Sequence, residues 1–217
     1  MAASVIGPGW QDALSQSPYR LRFELGGEML SNIEQPVERF VQAFDRARAI
    51  IGEVFAKSQS EIGVIGFWPL EEDQLFAPPF KPGETGLDCL KRLGFPDFAP
   101  ISTWRAHPKW VAEEDKNEDS LFDWHAYDLT GRSTVRDILI WGAVACEMPI
   151  QPWAPVVAYM FDPDASIEAF VYDDRGMDVT ALTAEALLPL YRRYDAWLLD
   201  YDRPRMAEAF GPQVLSD

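Results

Sequence analysis

Two groups of residues in this chain could do chemistry. The first is an acidic turn: Asp173, Asp174 and Asp178 fall within six positions, with Arg175 among them, in the run YDDRGMDV. Carboxylates converging in a pocket with a further oxygen or nitrogen ligand could hold a divalent metal for hydrolysis. The same charges in a solvated turn would pair locally with Arg175 or face a basic partner. The second group is Asp123-Trp124-His125. On a strand Asp123 and His125 share a face, so the carboxylate could orient the imidazole, and Cys89 or Cys146 could act beside it as a nucleophile. The plain alternative is a half-exposed strand histidine.

Other chemistries lack their residues. His107 and His125 are the only histidines, and HExxH is absent. There is no GxSxG elbow, P-loop or kinase motif set. Gly63 and Gly66 lie in a strand-like run with no helix after it, so they make no dinucleotide fingerprint. Asp162, Asp164 and Ser166 mimic the start of a calcium loop, with Asp173 at its last position. Ile167, however, occupies the place that demands glycine. No metal, cofactor or catalytic set is therefore assigned.

The elements that must position these residues are legible in part. Residues 1–18 read as a loose lead-in with a short helix near Trp10 to Leu14. Tyr19 to Leu25 alternates charged and apolar residues as a half-buried strand. Pro36 suits a first helical position, so a helix starts after Gln35; Val37, Phe40, Val41, Phe44, Ala47 and Ile51 lie on its stripe. Strands follow at Ile62–Trp68, Ile101–Ala106 and Leu121–Leu129, with a short helix at Thr85–Leu93 and a proline-rich loop over 70–83. The run from Ala112 to Ser120 holds Glu113, Glu114, Asp115, Glu118 and Asp119 and reads as a solvated loop. Ser133 or Thr134 as a cap, and its length, favour a helix over 132–147.

The block 154–203 organises the rest. Val156 to Phe161 is apolar on both pleat faces, as in a strand covered on both sides. Pro163 to Ser166 turns it into a second strand, Ile167 to Tyr172, in an antiparallel hairpin. The acidic turn follows, then one long helix over 183–203, with Leu187, Tyr191, Tyr194, Trp197, Leu198 and Tyr201 on one stripe. Pro189 should kink that helix or leave a loose first turn with the regular helix starting near Leu188, and Asp200 and Asp202 stand at the wrong end of its dipole. The sum is a single α+β domain: a mainly antiparallel sheet of five or six strands with helices packed on it.

These residues also carry a resemblance. YDDRGMDV, then LLPLYRRYDAWLLDYDR, preceded by WGAVACEMPIQP and the hairpin, resembles the C-terminal signature of an uncharacterised bacterial family labelled only as a domain of unknown function. The resemblance covers the last third of the chain. It implies a bacterial origin and brings no activity with it.

Composition narrows the function classes. A 47% hydrophobic and 13% aromatic chain of 217 residues can bury a core. No apolar run reaches the roughly 18–20 residues of a membrane span. The start MAASVIGPGW has neither a basic nor an apolar leader region, so no signal peptide is expected. Two cysteines without CxxC fit reduced thiols in the cytoplasm. The net charge of −16 repels nucleic acid and anionic membranes and would steer a basic protein. The expectation is a non-enzymatic cytoplasmic binding protein, in concrete form an immunity-type inhibitor of a basic toxin domain. Its contacts would be Asp173, Asp174, Arg175 and Asp178, with Glu113 and Glu114 on the acidic loop. The alternative is a hydrolase using the acidic turn with a metal, or His125.

Overall fold

The computed structural model describes residues 6–27, 31–68 and 84–211. The proline-rich stretch 70–83 and the first five residues lie outside the described residues. Among the described residues the chain forms one sheet of seven strands, β1 (Arg20–Glu24), β2 (Ile62–Phe67), β3 (Ser102–Ala106), β4 (Phe122–Asp128), β5 (Val156–Asp162), β6 (Ile167–Val171) and β7 (Gly176–Ala181). Six helices accompany it: α1 (Asp12–Ser15), α2 (Pro36–Val54), α3 (Gly86–Arg92), α4 (Ser133–Ala145), α5 (Ala184–Arg193) and α6 (Arg203–Phe210). The strand order is β1-β7-β6-β5-β2-β4-β3, and every pairing is antiparallel. No helix of the described residues is long and apolar enough to cross a membrane.

The sheet thus has seven strands where the sequence suggests five or six. The added strand is β7, which begins inside the acidic turn. Met177, Val179 and Ala181 are buried in the main core while Asp178 and Thr180 point to the other face, a period-2 pattern that fits a strand and not a helix approach. β7 slots between β6 and β1, and without it β1 would have no neighbour.

The long C-terminal helix is also corrected. α5 runs through Pro189 and stops at Arg193. Its N-cap Thr183 is extended but makes no capping side-chain bond. Tyr194 then turns inward, its hydroxyl 3.0 Å from Glu53 and 3.3 Å from the Ala49 carbonyl on α2. Leu198 pairs with Phe23 as an isolated bridge, and the Leu199 N–H donates to the Arg22 carbonyl at 2.9 Å. A helix could not make that strand-like contact. Asp200 and Asp202, unfavourable at a helix end, instead precede α6, where negative charge meets the positive end of the dipole. Tyr201, placed on the expected stripe, is 87% exposed.

The two faces of the sheet differ. α2, α4 and α5 cover one face with a largely aliphatic core, including Ala43, Ile50, Leu139, Leu187 and Val179. α2 begins at Pro36 as expected, though Val37 and Val41 are exposed because Phe40, Ala43 and Ala47 take the buried side. The opposite face is aromatic: Trp124, Phe122 and Tyr159 pack with Ile62, Val64 and Ile6, and Trp10 and Trp104 lie against them. Trp124 needs a gap to lie flat, and Gly66 provides it. A Cβ on Gly66 would fall 2.7–2.9 Å from three atoms of the indole ring. That ring cannot retreat easily, because its N–H donates to the Ala106 carbonyl at 3.0 Å.

Gly66→Ala should therefore destabilise the protein by about 1–3 kcal/mol, the usual penalty of overpacking. Gly52→Ala on α2, where a Cβ meets nothing within 4 Å, should stabilise it by about 0.5–1 kcal/mol through helix propensity. Denaturant melts of the two variants against wild type check both signs.

Candidate functional site

The acidic turn joins β6 to β7, and its carboxylates are held by arginines. Asp174 is 1% exposed and pairs with the guanidinium of Arg39 on α2, which also donates to the Gly27 carbonyl at 2.8 Å. Gly26 makes room for this approach: a Cβ there would sit 2.5 Å from the Arg39 guanidinium carbon and 2.7 Å from the Asp174 carbonyl. Asp173, 3% exposed, folds back on its own turn. It accepts the Arg175 N–H at 2.7 Å and the Arg175 Nε at 2.9 Å. Arg175 is exposed and reaches Glu147 at 3.1 Å. The bond to Asp173 raises the Arg175 pKa further.

Asp178 lies on the other side of the sheet. It faces Arg22, its cross-strand partner on β1, at 3.0 Å. Arg22 in turn reaches Asp202 at 3.1 Å. The hydrogen bond to Asp178 is the main cause that lifts the Arg22 pKa. The structure therefore does not bring Asp173, Asp174 and Asp178 together. Asp174 looks toward the helices and Asp178 toward the aromatic face. Among the described residues no group of three His, Cys, Asp or Glu is arranged to hold a metal ion.

The histidine candidate is likewise dispersed. Asp123 and His125 do share a face of β4, but Asp123 pairs with Arg105 at 3.2 Å. The His125 Nδ1 meets the Tyr127 hydroxyl at 3.1 Å, its ring packs against Phe67, and burial lowers its pKa. Burial pushes the Cys146 thiol up to about 12, with Asp173 adding to the effect, and raises the Cys89 thiol too. Neither cysteine is poised as a thiolate nucleophile.

Glu113 and Glu114 are placed differently. Every residue from Ala112 to Asp119 is exposed, in two short 3-10 turns, Glu113–Asp115 and Glu118–Ser120. Five carboxylates stand there beside one cation, Lys116, whose hydrogen bond holds Glu113 below the usual carboxylate range. The loop is nonetheless built. Asn117 and Ser120 cap each other reciprocally, and the Ser120 hydroxyl lies 3.0 Å from the His107 Nδ1.

The sequence reading missed the partners, Arg22 and Arg39, and a buried acid, Glu61. Glu61 precedes β2, is 5% exposed, and lies 3.5 Å from Arg136 on α4; its Oε1 accepts no hydrogen bond. Burial pushes its pKa up to about 7, Arg136 opposes the rise, and Asp162 and Asp128 add to it. Glu61 ends the polar run Lys57 to Glu61, which gives no local sign that it is buried.

The chain belongs to the family described as Domain of unknown function (DUF3885), whose model matches residues 10–202. The match reaches from the N-terminal segment to Asp202 and so extends well beyond the last third of the chain. No curated protein and no solved structure matches the chain.

Two outcomes follow from this geometry. Asp174→Ala strands the Arg39 charge in the core and should cost about 3–5 kcal/mol, whereas Glu114→Ala on the exposed loop should stay within about 0.5 kcal/mol of wild type; equilibrium unfolding separates them. Glu61 titrates higher folded than unfolded, so its contribution is fully present below its unfolded pKa of 4.5 and is lost as pH rises toward about 7. The melting temperature of Glu61→Gln relative to wild type should therefore climb across that window and level off above it. A difference that stays flat with pH would show that Glu61 does not titrate this way.

Proposed function

We propose that this DUF3885 protein is a non-enzymatic binding protein that presents the acidic loop Glu113 to Asp119 to a basic protein partner. Its concrete form is an immunity-type inhibitor of a cationic toxin domain. The observation that carries the reading is the contrast between the two acidic segments. Asp173 and Asp174 are buried and arginine-paired, while the 113–119 loop is wholly exposed with a single lysine among five carboxylates. On a chain of net charge −16, such a loop steers a cationic surface and sets its orientation. In this reading Asp173, Asp174 and Asp178 shape the scaffold, and the exposed Arg175 with Glu147 offers a secondary contact.

Capture from the lysate of the source cell, with the full chain as bait, tests this. A basic protein should be held at about 50 mM salt and released at about 500 mM, where screening is nearly complete. The Glu113→Lys/Glu114→Lys variant should lose it while melting as wild type does. Capture that ignores both salt and the variant, or no reproducible basic partner, would overturn the reading.

A further inference from the structure

The outer side of α2 carries an apolar row that the fold leaves in water. Val37 and Val41 are 61% and 49% exposed. Phe44 continues the row, because steps of four and three residues stay on one helix face. Phe44 is also a wall of a groove of about 310 Å³ between α2, the end of α3 and α4. Leu93, Ile138, Trp141 and Pro152 supply its other apolar walls. Trp141 is fixed there. Its N–H donates to the Pro152 carbonyl at 2.8 Å, and its ring meets Phe40 and Phe44 edge-on. A row of exposed aliphatic residues that ends in such a groove suits one face of a partner helix, with a large apolar side chain as its anchor.

The charges along the row select the kind of helix. Glu38 and Asp45 follow Val37 and Phe44 directly, so both stand on the solvent flank of the row, and both are exposed. The nearby cations are committed within the chain: Arg48 to Asp137 at 3.1 Å, and Arg92 to Glu84. The flank is therefore acidic, and lysine or arginine beside a partner's apolar stripe complements it. A second copy of this chain does not. In an antiparallel contact centred on Val41, Glu38 of one copy would meet Asp45 of the other, and in a parallel contact each acid would meet itself. The net charge of −16 on each copy adds to that repulsion.

We propose that the α2 row and its groove dock a basic amphipathic helix of a partner protein. Its apolar stripe lies on Val37 and Val41, one leucine or aromatic side chain enters the groove beside Trp141, and its cations meet Glu38 and Asp45. α2 covers the aliphatic face of the sheet. The root of the acidic loop packs through Trp110 on Phe122, which belongs to the opposite face. This inference does not rest on the acidic-loop reading.

The test is protein-detected NMR on the full chain with synthetic peptides of about 14 residues, roughly four helical turns. The first peptide carries leucine on one helical face and lysine elsewhere. The second scrambles the same residues, and the third has glutamate in place of lysine. The first should shift the Val37, Val41 and Ile138 methyls and the Trp141 indole N–H saturably, with Kd below about 100 μM. The scrambled peptide should bind about tenfold more weakly, and the glutamate peptide should leave these signals unmoved. Val41→Lys, at an exposed helix position, should weaken the first peptide about tenfold with the sheet amides unmoved, the scale of one anchoring contact. Glu38→Lys/Asp45→Lys should reverse the preference between the lysine and glutamate peptides, whereas Glu113→Lys/Glu114→Lys should leave it as it is. Silence of the α2 methyls toward the first peptide overturns the proposal. So does equal binding by the scrambled peptide, or shifts confined to residues 113–119. A dimer in sedimentation that Val41→Lys dissolves would give this face to a second copy and overturn it as well.

Discussion

The pair of Arg39 and Asp174 is the contact on which the acidic turn depends. It ties α2 to the connection between β6 and β7, with side chains 13% and 2% exposed. Two charges that deep are tolerable only together, since each alone would keep most of its desolvation cost. The neighbours of Arg39 on the same helix complete the arrangement. Gln42 donates to the Gly26 carbonyl at 2.6 Å, and Arg46 to the Glu24 carbonyl at 3.1 Å. The polar residues of α2 at these positions thus close the end of β1 instead of meeting water. Of the carboxylates that looked most like a reactive cluster, Asp174 is fixed by this closure, Asp173 by Arg175 of its own turn, and Asp178 by Arg22 on the other side of the sheet.

The insertion of β7 has a parallel consequence on the other face. Placing Asp178 opposite Arg22 puts a charge pair at the edge of the aromatic surface, and Arg22 extends it to Asp202. The cross-strand row then runs from Arg22 through Asp178, Phe170 and Tyr159 to Val64. Charge gives way to aromatic and then aliphatic character along one line of residues. A cleft of about 280 Å³, walled by Leu14, Trp110, Tyr159 and Phe170, lies where that change occurs, so its mixture of ring walls and polar groups follows from strand order.

Much of the architecture was legible from local patterns. The hairpin β5–β6 and helix α2 announce themselves by period, turn residues and Pro36, because each is settled within a few neighbouring residues. β7 was hidden because it is short, opens on Gly176 and carries Asp178, all of which also describe a turn. Its alternation of Met177, Val179 and Ala181 was present but outweighed by the charged residues before it. The C-terminal helix was overextended because aromatic residues at three- and four-residue steps satisfy a helical stripe, while the competing bridge from Leu198 to Phe23 is not local. The site failed for the same reason. Carboxylates can be read as residue types, but Arg39 is 135 positions from Asp174 and Arg22 is 156 from Asp178. Nothing in the acidic run says that such partners fold back onto it.

Pairing inside the fold also decides where the surplus negative charge stands. Arg22, Arg39, Arg136 and Arg175 are committed to Asp178, Asp174, Glu61 and Asp173. Within the loop after β3, the stretch Glu113 to Asp119 holds only Lys116 beside five carboxylates, so their field is largely uncompensated at short range. The same segment begins with Lys109 and Trp110 on the cleft and continues into Glu113 to Asp119. One loop therefore carries both a wall of that cleft and the exposed carboxylates.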